Sequence, residues 1–217
     1  MIVVGLGGMG SAAAAHAASR GKRVLGLEQF QPAHDRGSSH GRSRVIRLAY
    51  FEHPAYVPLL RRAYELWRQL EQRTGRRLLQ ITGGLMIRKP DSEVVSGSLR
   101  SAQEHRLDHA MLDASQIRSR FPALTPGPRD VALYEKDAGI VFPEEAIRAH
   151  LDFAADNGAH VHFDERVEGW HVASSGRIDV RTSRGQYDCD RLILAPGAWA
   201  SQLFKIDGLP LEVEPQQ

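Results

Sequence analysis

Six residues near the start of the chain, Gly5-Leu6-Gly7-Gly8-Met9-Gly10, carry its densest chemical signal. They follow the β-branched run Ile2-Val3-Val4 and open an alanine-rich stretch, Gly8 to Arg20, that reads as a helix closed by Gly21. In a G-x-G-x-x-G turn from strand to helix each glycine has a mechanical task. Gly5 permits the tight turn, Gly7 lets the backbone approach a pyrophosphate, and Gly10 lets the helix pack on its strand. The amides and partial positive charge at the helix N-terminus suit phosphates, which places Leu6, Gly8 and Met9 in the same cradle. Lys22 to Glu28 reads as a second buried strand. Its last residue, Glu28, with Gln29 beside it, is placed to accept ribose hydroxyls. Strand, turn, helix and strand between Met1 and Glu28 outline a βαβ unit. An acid at Glu28 favours an unphosphorylated adenosine ribose, hence FAD or NAD over NADP, and the motif does not separate the first two.

A second block, Gly37-Ser38-Ser39-His40-Gly41-Arg42-Ser43-Arg44-Val45-Ile46-Arg47-Leu48-Ala49-Tyr50, is unusual for a plain dinucleotide-binding domain. It comes one loop after Glu28, where the chain would pass the far end of an extended FAD. Its small residues allow close approach to a flat ring, and Arg44 and Arg47 share a face if the segment is helical. A solvated basic loop has the same composition.

With these residues in view, the sequence resembles the monomeric sarcosine oxidase and N-methyltryptophan oxidase group of the D-amino-acid-oxidase-like flavoproteins. The resemblance runs along essentially the whole chain. It rests on the glycine run, the His40 block, Tyr56-Val57-Pro58-Leu59 leading into Glu65-Leu66-Trp67, Asp137-Ala138-Gly139-Ile140-Val141, and Leu192-Ile193-Leu194-Ala195-Pro196-Gly197-Ala198-Trp199. It implies FAD as cofactor, a small amino-acid substrate, and O2 as electron acceptor. The implied reaction oxidises the C–N bond of an N-methyl or other secondary amino acid to an imine and releases H2O2. Gly5 to Gly10 would then hold the pyrophosphate and Glu28 the ribose. Ser38, Ser39, His40, Ser43 and Arg44 would lie along the flavin end, and Val167 would offer backbone groups to the adenine. Ala195, Gly197 and Trp199 would close over the cofactor. The catalytic candidates are Arg44 beside the ring, Arg47 gripping the substrate carboxylate, and His40. The covalent cysteine and the oxygen-activating lysine of the family come from later sequence. Cys189 reads as a small buried residue, and Lys22, Lys89, Lys136 and Lys205 do not sit in a matching context. The alternatives are a dehydrogenase passing electrons to NAD or another acceptor, and a non-catalytic flavin-binding piece.

The bulk composition is that of an ordinary globular chain. Of 217 residues, 42% are hydrophobic and 25% charged, and the formal charge of +2 is too small to point to nucleic acid. A single cysteine excludes an internal disulfide and fits a reducing, cytoplasmic setting. No apolar run approaches the ~20 residues of a membrane span. The histidines show no consistent ligand spacing, so no metal is expected.

The elements that must position these residues alternate in type. The expectation is an α/β chain, a Rossmann-type FAD-binding domain with part of an α+β substrate domain inserted. The FAD-binding domain is assigned to 1–77 and 143–208, and the partial substrate domain to 78–142 and 209–217. A helix is expected from Pro54 to Arg73, with Tyr56, Leu59, Leu60, Ala63, Tyr64, Trp67 and Leu70 on one face. A second long helix should begin at Pro143 and stop at Gly158. From His160 onward the pattern is strand-rich, with hairpin turns at Ser174-Ser175-Gly176 and Ser183-Arg184-Gly185. Leu209 to Glu214 reads as a strand being started. The chain is read as the N-terminal half of a family member, without turnover of its own.

Overall fold

The computed structural model describes residues 1–204 and 212–214. In chain order the elements begin β1 (Ile2–Val4), α1 (Gly8–Ala18), β2 (Leu25–Leu27), β3 (Arg44–Ile46) and α2 (Tyr56–Thr74). There follow β4 (Leu79–Ile81), β5 (Gly84–Arg88), α3 (Glu93–Glu104), β6 (His109–Asp113), α4 (Ala114–Arg120), β7 (Val131–Glu135) and β8 (Gly139–Val141). The last group is α5 (Pro143–Asp156), β9 (His160–His162), β10 (Val167–Val172), β11 (Ile178–Thr182), β12 (Gln186–Cys189), β13 (Leu192–Leu194) and α6 (Ala200–Phe204), with a 3₁₀ turn at Gly197–Trp199. Packing divides the chain into two compact units. The first comprises 1–43, 70–76 and 142–217, and the second 44–69 and 77–141. Residues 44–69 thus pack with the second unit, whereas the sequence expectation groups them with the glycine turn.

In the first unit β1 is buried along its length, as a central strand of a parallel sheet requires. It pairs in parallel with β2, Ile2 opposite Leu25 and Val4 opposite Leu27, and with β13 on its other edge. β9 extends the sheet to the order β13-β1-β2-β9. Alternation along β1 then builds two cores. Val3 faces Ala14, Ala15 and Ala18 of α1 and Ile147, Leu151 and Ala154 of α5. Ile2 and Val4 face the other way, onto Val167, Val180 and Cys189 of the antiparallel sheet β10-β11-β12. Burial of each such branched side chain contributes about 1.5–3 kcal/mol. The small side chains of α1 bring it close to α5. Pro143 occupies the first turn of α5, Glu144 and Glu145 complement its N-terminal charge, and Gly158 (φ +83°) leads away. Cys189 is free and buried.

The second unit holds two small antiparallel sheets, β3-β8-β4 and β5-β7-β6. Ser92 caps α3 through the Val95 amide, and a reciprocal Asp113–Gln116 capping box starts α4. Two expectations are corrected here. Tyr56 and Leu59 of α2 are 47% and 67% exposed, while Val57 is fully buried. Helical spacing fits both rows, and packing on Leu48, Ala49, Ala102, Leu107 and Leu133 selects the row of Val57, Leu60 and Tyr64. Residues Arg44–Ile46 form a strand paired with β8, so Arg44 and Arg47 are not neighbours on a helical face. The β-branched pair Val45-Ile46 favours the extended state, and β8 supplies its partner. Of the expected strand at Leu209 to Glu214, Leu209 to Leu211 lie outside the described residues, and Glu212 to Glu214 carry no regular structure.

Candidate functional site

The turn that starts α1 is shaped by three glycines in three different ways. At Gly5 a side chain would place its Cβ 2.4 Å from the carbonyl oxygen of Ala195, and the backbone is left-handed (φ +83°). At Gly10 the added Cβ would lie 1.7 Å from the Gly5 oxygen. These two close the turn onto the chain itself. Gly7 differs. Its Cβ would meet only Ser39 Oγ, at 3.8 Å. The face of Gly7 is therefore open, as expected where something other than protein approaches the backbone. The N-cap residue Gly7 has no side chain to close the start of α1, and apart from the Gly8 amide, which Ser39 accepts, such a helix start leaves amide donors directed outward.

Glu28, only 6% exposed, fixes the turn from behind. Its Oε2 accepts the Leu6 amide at 2.7 Å and its Oε1 the Phe30 amide at 3.1 Å. His34 Nε2 lies 3.7 Å from Oε1. A carboxylate has about four acceptor sites, so capacity remains for ribose hydroxyls. Glu28 is thus a structural fastener as well as a candidate ligand residue.

In front of these residues is a cleft of about 470 Å³ built wholly within the first unit. Gly5, Leu6, Gly7, Gly8, Met9, Glu28 and Gln29 line it. Ser38, Ser39, Val167, Ala195, Gly197 and Trp199 line it too, so most of the expected cofactor residues share one cavity. Ser39 Oγ accepts the Gly8 amide at 3.2 Å, tying the small-residue loop to the glycine turn. Gly10, His40 and Ser43 belong to the same unit but not to the cleft wall. The loop around His40 is held by Glu144 of α5, whose Oε1 accepts the Gly41 amide at 2.7 Å. Desolvation acts to raise the Glu144 carboxyl. The Gly41 amide, further amides and the nearby His40 outweigh it and hold the group below its usual range.

Several wall residues were not anticipated. His34 stands edge-on to Phe30, with ring centroids 4.8 Å apart, and Trp199 packs on Phe30 at 5.3 Å. Trp199 therefore packs and lines the cleft at once. Glu165 is 1% exposed and also lines the cleft. Its Oε1 accepts Thr182 Oγ1 at 2.6 Å, its Oε2 pairs with His162 Nδ1 at 2.9 Å, and its amide donates to the Glu28 carbonyl at 2.9 Å. Burial works to raise the Glu165 carboxyl, but hydrogen bonds from Thr182, Tyr187 and His162 hold it below its usual range. No sequence period marks this cluster, because β9, β11, β12 and the loop after β9 converge only in three dimensions.

This network predicts a pH-dependent stability. A carboxyl held down in the folded state contributes stability above its ordinary value of 4.5, and that stability is lost as pH falls through and below it. Thr182→Val should cost about 1–3 kcal/mol at neutral pH, with a smaller cost in acid, because a buried acceptor loses its donor. Urea unfolding at about pH 7 and about pH 4 checks this, and an equal cost at both would contradict it.

In the second unit, Arg47 follows β3. Its guanidinium lies 4.7 Å from the Tyr50 ring centroid and 5.9 Å from that of Phe51. Its Nε is buried without a hydrogen-bond partner. A buried guanidinium nitrogen without an acceptor is costly, and a planar donor of this kind suits a carboxylate. Arg44 is exposed. Among the described residues, no three His, Cys, Asp or Glu side chains converge as a metal site, and no helix is long and apolar enough to cross a membrane.

A glycine turn from a parallel strand into a helix, answered by an acid after the next strand, defines an α/β dinucleotide-binding protein. A family profile described as FAD dependent oxidoreductase matches residues 1–217, and the chain belongs to that family. It is 53% identical to a monomeric sarcosine oxidase of Streptomyces avermitilis, over all of this chain and 56% of that protein. It is 33% identical to an N-methyl-L-tryptophan oxidase of Yersinia pestis, over 94% of this chain and 55% of that protein. Among solved structures it is similar to NikD, an amino acid oxidase of nikkomycin biosynthesis. That match has a TM-score of 0.85 and 28% identity, and covers 94% of this chain and 52% of that one. The chain spans about half the length of the curated relatives it matches.

Proposed function

We propose that this chain supplies the FAD site and the carboxylate clamp of an oxidase acting on N-methyl or other secondary amino acids, with O2 as electron acceptor. The observation that carries the reading is the open face of Gly7 inside a cleft walled by the expected cofactor residues. The relatives named for sarcosine and N-methyl-L-tryptophan support the substrate class. In this reading 1–77 with 143–208 is the functional FAD-binding domain, and 78–142 with 209–217 is part of the substrate domain. A cytoplasmic setting belongs to the same reading, on the strength of one buried cysteine.

The residues fit the cofactor. Gly5 to Gly10 would hold the pyrophosphate at the start of α1, and Glu28 with Gln29 the ribose. Val167 would lie at the adenine. Ser38, Ser39, His40, Ser43 and Arg44 would lie towards the flavin, and Ala195, Gly197 and Trp199 would close the cleft. When bound, FAD supplies the two-electron acceptor for conversion of the C–N single bond to an imine. Arg44 would contribute fixed positive charge near the acceptor, which favours the added negative charge. Arg47 would bind and orient the substrate carboxylate with a planar pair of donors. The test is peroxide release by the full-length, FAD-loaded protein on a panel of N-methyl amino acids. Peroxide formation coupled to substrate loss is expected. Electron delivery to NAD or an artificial acceptor, with no peroxide, would favour a dehydrogenase instead.

A further inference from the structure

We infer that Glu135 is a positioning residue for Arg47, holding the guanidinium in place by pinning the two peptide groups that follow it. The inference rests on the reading of Arg47 as a carboxylate clamp. Glu135 ends β7 and is 1% exposed, so its carboxylate is not there for solvation. Its Oε1 accepts the Leu48 amide at 2.6 Å and its Oε2 the Ala49 amide at 2.9 Å. Those are the first two amides after Arg47, and they lie 87 and 86 residues from Glu135 in sequence.

The reason for a carboxylate follows from the backbone. β3 ends at Ile46, where its pairing with β8 ends too, at Gly139. Beyond Ile46 that ladder offers the chain no further acceptors, yet Leu48 and Ala49 are buried. Two adjacent amide donors in an apolar setting need two acceptors. One carboxylate supplies both, whereas a glutamine would turn its own N–H2 toward one of them. Burial pushes the Glu135 carboxyl up, and the Ala49 and Leu48 amides and the Arg47 charge oppose that shift. Arg47 makes no ion pair with Glu135. Its guanidinium stacks on Tyr50 instead and keeps Nε without a partner. The two charges support one another without Glu135 occupying the donors of Arg47. A carboxylate spent on the backbone leaves the guanidinium for a second carboxylate brought by a ligand.

The test compares Glu135→Gln, Glu135→Ala and Arg47→Ala in the full-length, FAD-loaded protein. The measurements are flavin content, acetate affinity by titration calorimetry, and KM and kcat on an N-methyl amino acid and on an amine lacking the carboxylate. Glu135→Gln should weaken acetate binding and raise KM for the amino acid about tenfold. Glu135→Ala should do more, while flavin content, saturated kcat and the carboxylate-free amine stay near wild type. Equal losses on both substrates would make Glu135 merely structural and overturn the inference. Loss of acetate binding in Arg47→Ala with both Glu135 variants at wild-type affinity would overturn it while leaving the Arg47 clamp standing. Unchanged acetate binding in Arg47→Ala would remove the clamp and the inference together. Should the Glu135 variants fail to fold, amide hydrogen exchange in the unaltered protein decides: Leu48 and Ala49 should exchange as slowly as β7, and fast exchange would overturn the inference.

Discussion

Gly7→Val in the full-length protein will fold and emerge from purification colourless, while Gly10→Ala will fail to accumulate as folded protein. The contrast follows from what each added Cβ would meet. At Gly10 it would lie 1.7 Å from the Gly5 oxygen and 3.3 Å from Ala195 Cβ. That oxygen belongs to backbone in the turn itself, so α1 would have to move off β1. The alanines that seat α1 on Ile147 and Leu151 would lose their contacts. A displacement on that scale exceeds the ~4–5 kcal/mol that marks exceptional single substitutions, against a total stability of about 5–15 kcal/mol. At Gly7 the backbone is in an ordinary extended region (φ −69°, ψ −161°), and the nearest atom to a Cβ is Ser39 Oγ at 3.8 Å. A branched side chain is tolerated by the protein there and excludes whatever approaches the peptide plane. Near-ultraviolet circular dichroism and visible absorbance read the two effects separately. A folded Gly7→Val protein with its full flavin complement would show that the glycine run does not bear the pyrophosphate.

The second large effect is expected at Arg47. Arg47→Ala should raise the apparent KM for an N-methyl amino acid by the equivalent of about 2–5 kcal/mol, the cost of removing one partner of a buried charge pair. That corresponds to roughly thirtyfold to a few thousandfold. The same substitution should change little for an amine without the carboxylate. The argument rests on the buried Nε without a partner and on the stacking of the guanidinium over Tyr50, which limits its rotamers before any ligand arrives. Steady-state kinetics on matched substrates with and without the carboxylate measure it. Equal losses on the two would place Arg47 in the fold or beside the flavin.

Much of the first unit could be read directly. The spacing of Gly5, Gly7 and Gly10, the β-branched run before them and the acid at Glu28 are local features with one good structural solution. The parallel sheet and the turn into α1 follow from them. Pro143 and Gly158 likewise bracket α5 closely. What escaped the sequence was set by contacts distant along the chain. The buried row on α2 depends on Leu48, Ala49 and Leu133, since helical spacing alone fits two rows. The segment around Arg44 is extended because β8, nearly a hundred residues later, pairs with it at Val141 and Gly139. Glu165 and Glu135 are buried acids with no local motif. Each takes its role from partners that only the tertiary fold brings near, Thr182 and His162 for one, the Leu48 and Ala49 amides for the other. Glu28 stood out as a candidate for ribose hydroxyls, while its fastening of the Leu6 amide is visible only in three dimensions.

The central claim is that the cleft in front of Gly7 holds FAD. Its most direct test is titration of the deflavinated full-length protein with FAD, and separately with NAD, followed by flavin fluorescence and calorimetry. The account predicts saturable, stoichiometric FAD binding that Gly7→Val abolishes, with NAD failing to compete. Binding of NAD in place of FAD, or FAD binding indifferent to Gly7→Val in a folded protein, would contradict it.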